Sequence, residues 1–244
     1  MRLTRLTCAT WNIHRAKGAD KRVDPDRIHR TIAADLAPLR LDVLALQEAD
    51  GECRPHARIL DVRRIQADTG LVYQHDQQAM RWGSQSGGFL GTILFLHPLL
   101  EVTHRDVVDL PGHCHRGAVV VETLRDGVDM RILSTHLSLF QPLRVIQMRI
   151  IGQYLRRRPK MQTILLGDLN EWRPWGGLMF HRRLVGQKLA GPARATFPSH
   201  RPLLPLDRIM TDRPDAVFDT QAMSTPNLRM ASDHLPLIAS VKVS

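Results

Sequence analysis

Five short polar clusters stand far apart in this sequence: Trp11-Asn12, Gln47-Glu48, Thr135-His136, Gly167-Asp168-Leu169-Asn170 and Ser232-Asp233-His234. All but the last directly follow a stretch that reads as a buried strand, and the last directly precedes one. Strand ends can gather such residues at one edge of a sheet core. Asn, Glu, Asp and His arriving there together make an oxygen-rich site for a hard divalent cation, with imidazole available for proton transfer. That chemistry is metal-dependent phosphoester hydrolysis. Taken singly, an Asp-x-Asn after a strand is usually a turn, because both side chains satisfy local backbone groups. Spaced by two, however, Asp168 and Asn170 project to the same side of an extended chain, so a carboxylate and an amide converge.

The elements that must position these residues are readable in outline. Leu3 to Trp11 alternates as a half-buried strand ending at Asn12, and Val43 to Leu46 is a short apolar run suited to a strand buried on both faces. Between them, Asp24-Pro25 supplies a helix cap, with Ile28, Ile32 and Leu36 repeating every four residues. Residues 52–70 read as a second helix. Strand-like runs follow at Gly91 to Leu96, Val102 to Val108, Gly117 to Leu124 and Val128 to Leu133, with Asp126-Gly127 as a hairpin turn and the whole region as a meander. Pro142 opens a helix carrying Leu143, Ile146, Ile150, Ile151, Tyr154 and Leu155, and Pro159 stops it. Thr163 to Leu166, Leu206 to Met210 and Leu235 to Val243 supply the remaining strands. Hairpins mixed with crossovers suit two packed sheets with helices outside.

A chain of 244 residues without a convincing linker reads as one domain. Three cysteines, Cys8, Cys53 and Cys114, lack CxxC spacing, which argues against a disulfide framework or a zinc ribbon and for a reducing compartment. Neither a secretion signal nor a membrane-spanning run is visible, so the expectation is a soluble, cytoplasmic protein. The net charge of +10 favours a polyanionic partner, nucleic acid or an anionic phospholipid surface. Arginine supplies 29 of the 34 basic residues and reads as scattered, so base composition of the genome is a competing cause.

The clusters together resemble the endonuclease/exonuclease/phosphatase superfamily, in motif order: TWN (Thr10 to Asn12), LQE (Leu46 to Glu48), STHL (Ser134 to Leu137), GDLN (Gly167 to Asn170), LDRI (Leu206 to Ile209) and SDH (Ser232 to His234). The resemblance covers essentially the whole chain. It implies a DNase I-like four-layer α/β-sandwich, two packed mixed β-sheets flanked by helices. It also implies Glu48 as the principal Mg²⁺ ligand (Mn²⁺ substituting), with Asn12 and Asp233 assisting. Asp168 would orient or deprotonate the attacking water, and Asn170 would bind a non-bridging oxygen. His234 would contact the phosphate or act as base, oriented by Asp207, and His136 would bind phosphate or assist the leaving oxygen. Arg116, Arg173, His14 and Trp172 are the further candidates for phosphate and substrate binding. NIHRAKG (Asn12 to Gly18), GDLNEWRP (Gly167 to Pro174) and ATFPSHRPLLPLDRI (Ala195 to Ile209) resemble a bacterial subgroup that commonly reads NIHxG, so this chain carries two extra residues before Gly18.

On charge, the substrate order is nucleic-acid phosphodiester, then phospholipid head group or inositol phosphate, then small phosphorylated metabolites. Loops 13–22, 76–90 and 172–200 would select among them. A silent member that only binds a phospho-ligand is the alternative of another class, and the complete acid, base and metal set argues against it. His113-x-His115 lacks a third ligand for zinc, and Cys114 lacks a relay for thiol catalysis. Arg201 joins Arg173 as a residue for the phosphate entrance, and Arg182-Arg183 read as a solvated helix face. Trp172 and Trp175 either stack on substrate or pack beneath their loop.

Overall fold

Alternation along β1 (Thr4–Asn12) sends Leu6 and Cys8 to one face and Ala9 and Trp11 to the other, and all four are fully buried. β2 (Val43–Gln47) repeats the pattern, with Val43 and Ala45 on the first face and Leu44 and Leu46 on the second. Strands apolar on both faces need a layer on each side. The structure, a computed structural model, describes residues 4–112, 116–186, 188–213 and 215–244.

β1 and β2 are parallel neighbours, so a crossover must join them. α1 (Pro25–Thr31) supplies it: the Asp24 carboxylate accepts from the Arg27 N–H at 3.0 Å, and Pro25 sits where no helical N–H is needed. The helix continues through a wider turn at Ile32–Leu36 and a tighter one at Ala37–Leu39, burying Ile28, Ile32 and Leu36. Then come α2 (Val62–Thr69), β3 (Val72–Tyr73) and β4 (Ile93–Leu96). β5 (Glu101–Leu110), β6 (Arg116–Arg125) and β7 (Val128–His136) form an antiparallel meander, turning at Asp126-Gly127 with both residues at positive φ. α3 (Gln141–Arg156) crosses over to β8 (Gln162–Asp168), parallel to β7. The chain ends with α4 (Arg182–Val185), β9 (Asp207–Thr211), β10 (Val217–Ala222), α5 (Pro226–Ala231) and β11 (Leu237–Val243).

The strands form two mixed sheets, ordered β10-β11-β1-β2-β4-β3 and β5-β6-β7-β8-β9. Their facing sides share a core containing Leu6, Val43, Leu94, Val119, Ile132, Ile164 and Ile209. Outside the first sheet, Ile28, Ile65 and Leu228 cover Trp11 and Leu46; outside the second, Met148, Ile151 and Leu155 cover Val120 and Leu165. This is the expected four-layer sandwich. Gly167 belongs to its close contacts: φ is +146°, and a Cβ there would lie 1.9 Å from the Thr135 carbonyl oxygen on β7.

Several local expectations change. Only Val62–Thr69 of the segment 52–70 is helical, because Pro55 cannot donate and the Asp61 carboxylate caps the N–H groups of Arg63 and Arg64. Residues 93–96 join the first sheet and not the meander. β3, β10 and α5 are additional elements. α3 turns Arg144, Gln147, Met148, Ile151 and Leu155 inward and leaves Ile146 exposed. His113, Cys114 and His115 lie outside the described residues. No described helix is long and apolar enough to cross a membrane.

Candidate active site

Parallel pairing sets both strands of a pair running toward the same edge, and each sheet contains one such pair. Register places Asn12 opposite Gln47 in the first sheet and His136 opposite Asp168 in the second. β9 begins opposite Asp168 with Asp207. The Ser232–His234 segment reaches the same edge ahead of β11. It is fastened there by the Trp11 indole N–H, which donates to the His234 carbonyl at 2.9 Å, and by the Ser232 hydroxyl, which donates to the Asn12 carbonyl at 2.8 Å. The buried indole thus meets its need for an acceptor while fixing a site loop.

Asn12, Glu48, His136, Asp168, Asp233 and His234 line a cavity of about 520 Å³, which adjoins a smaller one of about 180 Å³ across Arg15, Glu48, Arg116 and His136, while Asp207 is buried behind the wall. Asp168, 1% exposed, is at the centre. Its carboxylate accepts from Asn12 Nδ2 at 2.9 Å and from the Asn170 N–H at 3.0 Å. Asn12 Nδ2 also reaches Glu48 Oε1 at 3.3 Å. Asn170 is in the left-handed region at φ 52° and donates from Nδ2 to the Leu137 carbonyl. The chain therefore turns after Asp168 and does not stay extended, and a local turn rather than strand alternation aims both residues at the cavity.

The two imidazoles are set apart electrostatically. Burial, reinforced by the adjacent Arg116 guanidinium, pushes the His136 pKa down to about 3. The Arg116 guanidinium donates to His136 Nδ1 at 3.3 Å, which leaves Nε2 as the protonated nitrogen, 3.4 Å from Asp168 Oδ2. Burial would also depress His234, but Asp207 and Asp168 outweigh it and raise its pKa to about 10. His234 Nδ1 donates to Asp207 Oδ2 at 2.9 Å, and Nε2 lies 3.8 Å from Asp168 Oδ2. One imidazole is neutral and the other cationic at neutral pH.

Glu48 stands at φ 55° with a mostly buried side chain, and the Arg15 guanidinium lies 2.6 Å from its Oε2. His14, Arg15 and Ala16 have φ of 48°, 49° and 60°, three consecutive non-glycine residues in the left-handed region. Such strain concentrates at functional sites. The segment with two extra residues thus delivers a cation to the carboxylate expected to bind metal. That contact is also the test of fit: Glu48 already stabilises positive charge and Asp168 brings a second carboxylate, as Mg²⁺ or Mn²⁺ requires, whereas Asn12 turns its amide nitrogen toward both and its Oδ1 accepts from the His14 N–H at 2.9 Å. Asp168, Asp207 and His234 place potential ligand atoms within 4.8 Å of one another, but the Asp207–His234 hydrogen bond makes that trio a relay. Asp233 faces His14 Nδ1 at 3.3 Å.

His14, Arg116, Trp172 and Asp233 all line the larger cavity. Arg173 does not; it is held by both carboxylate oxygens of fully buried Glu171, at 2.6 and 2.8 Å, and stacks on Trp172. Arg201 is exposed and not part of the lining. Arg144 lines the cavity instead, bonded to the Ser138 and Leu139 carbonyls and to Glu171. Burial alone would raise the Glu171 pKa, but the Arg173 hydrogen bonds and the Arg144 charge hold it below the ordinary range. Arg15, Arg144, Glu171 and Thr196 are the residues that sequence reasoning missed. Thr196, whose hydroxyl donates to Asp207 Oδ2 at 2.6 Å, lies within the ATFPSH stretch, which was a usable signal. Both tryptophans are exposed, Trp172 at 52% and Trp175 at 74%, so neither packs beneath its loop.

A family model described as "Endonuclease/Exonuclease/phosphatase family" matches residues 9–234, nearly the whole chain. The chain belongs to this family. Its members are hydrolases of phosphoester bonds, typically using divalent metals. No curated protein matches the chain in sequence. Among solved structures, humanized D. rerio TDP2 is similar over 97% of this chain and 98% of its own, with 17% identity and a TM-score of 0.70. D. rerio TDP2 complexed with a single-strand DNA product matches over 97% and 98%, with 18% identity and a TM-score of 0.67. The human Nocturnin catalytic domain with bound sulfate matches over 98% and 95%, with 19% identity and a TM-score of 0.71. At these identities the likeness shows a shared DNase I-like fold.

Proposed function

We propose that the chain hydrolyses a phosphodiester by attack of a water activated at Asp168, assisted by a divalent cation held at Glu48, with Asn12 beside it. The observation that carries this reading is the convergence of Asn12, Glu48, His136, Asp168 and His234 from separate strand ends on one cavity. Mg²⁺ suits the oxygen donors, with Mn²⁺ as substitute; when bound, the cation neutralises charge on the phosphoryl oxygens.

Asp168 accepts the proton of the attacking water, and the Asn12 amide and the Asn170 N–H hold its carboxylate in place. The cationic His234 ring, fixed by Asp207 and Thr196, offers an Nε2–H to a phosphoryl oxygen. Cationic at neutral pH, it serves as phosphate ligand and not as base. Neutral His136 offers its own Nε2–H beside Asp168, as a hydrogen-bond donor to the phosphate or leaving oxygen. Asn170 has a second amide hydrogen for a non-bridging oxygen, Arg116 and His14 add positive or donor groups at the rim, and Asp233 keeps His14 in place. Nucleic acid and anionic phospholipid both present phosphodiesters to such a site. The net charge suits either polyanion, and the DNA product held by D. rerio TDP2 supports the former.

The test is Mg²⁺-dependent hydrolysis by wild type, Asp168→Ala and Asp168→Asn on plasmid DNA, single-stranded RNA, anionic and choline phospholipids and inositol phosphates. Turnover should fall by roughly a thousandfold or more in both variants, and vanish in EDTA. Variant turnover equal to wild type would overturn the assignment of Asp168. No variant-sensitive turnover of any substrate would favour the phospho-ligand-binding alternative.

A further inference from the structure

Two observations single out the flank of the cavity built by the loops before α3, after β8 and before β9. The first is apolar exposure. Of 13 large hydrophobic side chains exposed among the described residues, seven lie in these loops: Leu139, Phe140, Trp172, Trp175, Leu178, Leu203 and Leu204. Leu139, Trp172 and Leu204 reach the cavity wall, so the three loops share one rim, and their neighbours extend it outward. Leu139 is 78% exposed, Trp175 74% and Phe140 63%. The rim is braced: Glu171 ties Arg144 to Arg173, and Arg208 on β9 donates to the carbonyls of Arg173 and Pro174. Scattered exposed apolar residues need no account, but a clustered and rigidly supported set marks an interaction surface.

The second observation is charge. Residues 137–206, which contain all three loops, hold 12 of the 34 Lys and Arg and two of the 24 Asp and Glu. Their net charge is therefore +10, equal to that of the entire chain, while the remaining residues balance. Both acidic residues, Asp168 and Glu171, are buried. Exposed Arg149, Arg182, Arg183 and Arg201 stand on or beside the same loops. Arg156, Arg157, Arg158 and Lys160 stand at the far end of α3, at the opposite edge of the sheet, so it is the four exposed arginines and not the whole excess that flank the rim.

We propose that this rim docks on an anionic lipid bilayer and brings the cavity against the head groups. This rests on reading the cavity as a phosphodiester site. Leucine and phenylalanine on loop tips gain by entering the acyl boundary, and tryptophan suits the interface itself, where one edge stays wet. The surrounding arginines meet anionic head groups, each adding roughly fivefold in affinity near such a surface. A nucleic-acid track would instead interleave basic residues with aromatic rings for base stacking. Here four of the seven exposed side chains are leucines, which cannot stack on a base.

The experiment is flotation of the full chain with phosphatidylcholine vesicles, with and without phosphatidylglycerol, at low and high salt. Wild type should float with the anionic vesicles and be released by salt. Phe140→Ser/Trp175→Ser/Leu178→Ser, which leaves the cavity lining intact, should bind at least about tenfold more weakly. Val72→Ser/Leu99→Ser, two exposed apolar residues away from the rim, should bind as wild type. Asp168→Ala should also float as wild type, so a failed hydrolase reading and a failed docking reading give different results. Absence of anionic-vesicle binding, or equal binding by the triple serine variant, overturns the proposal. So does binding of single-stranded DNA that the triple variant loses while vesicles are ignored. Circular dichroism of each variant keeps misfolding from counting as loss of binding.

Discussion

The Arg15 guanidinium occupies the carboxylate to which the cation is assigned, so removing it should tighten cation binding. The two groups lie 2.6 Å apart, with side chains 31% and 14% exposed, and a second contact to exposed Glu52 at 3.8 Å adds little. A charge-assisted hydrogen bond contributes about 1.5–3 kcal/mol. Partial exposure reduces that to about 1–2 kcal/mol. A metal ion must overcome this competition, so Arg15→Ala should lower the Kd for Mg²⁺ or Mn²⁺ by roughly 5- to 30-fold. Isothermal titration of both ions into wild type, Arg15→Ala, Glu48→Gln and the double variant measures it, and the gain should disappear in the Glu48→Gln background. Arg15→Gly separates side chain from backbone. It should match Arg15→Ala in cation affinity while gaining about 1 kcal/mol of stability from relief of the left-handed conformation. Unchanged or weakened affinity in Arg15→Ala would refute the competition.

Two further outcomes concern the scaffold. His75 is fully buried as neutral imidazole, with Nδ1 donating to the Met80 carbonyl and Nε2 accepting from the Leu94 N–H, and burial brings its pKa down to about 4. The unfolded chain takes up that proton near the ordinary 6.5, so the contribution is complete above that pH. It is lost as pH falls toward the folded value, a change of about 3 kcal/mol. Urea denaturation across this range should show a shallower pH slope in His75→Gln, and an identical slope would contradict the assignment. Glu122 is buried between Arg131 and Arg158, at 2.8 and 2.7 Å. Glu122→Gln leaves the buried Arg131 guanidinium without its counter-charge and should cost about 3–5 kcal/mol in the same assay. A loss below about 1 kcal/mol would place the pair in the class of solvated surface bridges.

Local rules made much of the architecture legible. Four apolar residues at Val43 to Leu46 imply a strand covered on both faces, and Asp24-Pro25 implies a helix start, because each depends only on near neighbours. The motif residues were legible for a related reason: each follows or precedes a strand, and strand ends are where a sheet can present chemistry. The segment 52–70 and the register of α3 were misread where apolar periodicity competed with capping and with buried polar residues. Arg144 and Gln147 turn inward because carbonyls of neighbouring loops and Glu171 need donors there and the Ser138 N–H needs an acceptor, and only the packed structure contains those partners.

What the sequence determined by itself is therefore the family, the layered fold and the set of residues that meet at the strand ends. Tertiary structure decided which neighbour each one has. It made His136 neutral and His234 cationic, moved Arg173 onto Glu171, set Arg15 against Glu48 and brought loops distant in sequence together as one apolar rim. Periodicity and capping act over a few residues and are written in order along the chain. Burial, proton affinity and charge pairing act through space, and their values exist only once distant segments are packed against one another.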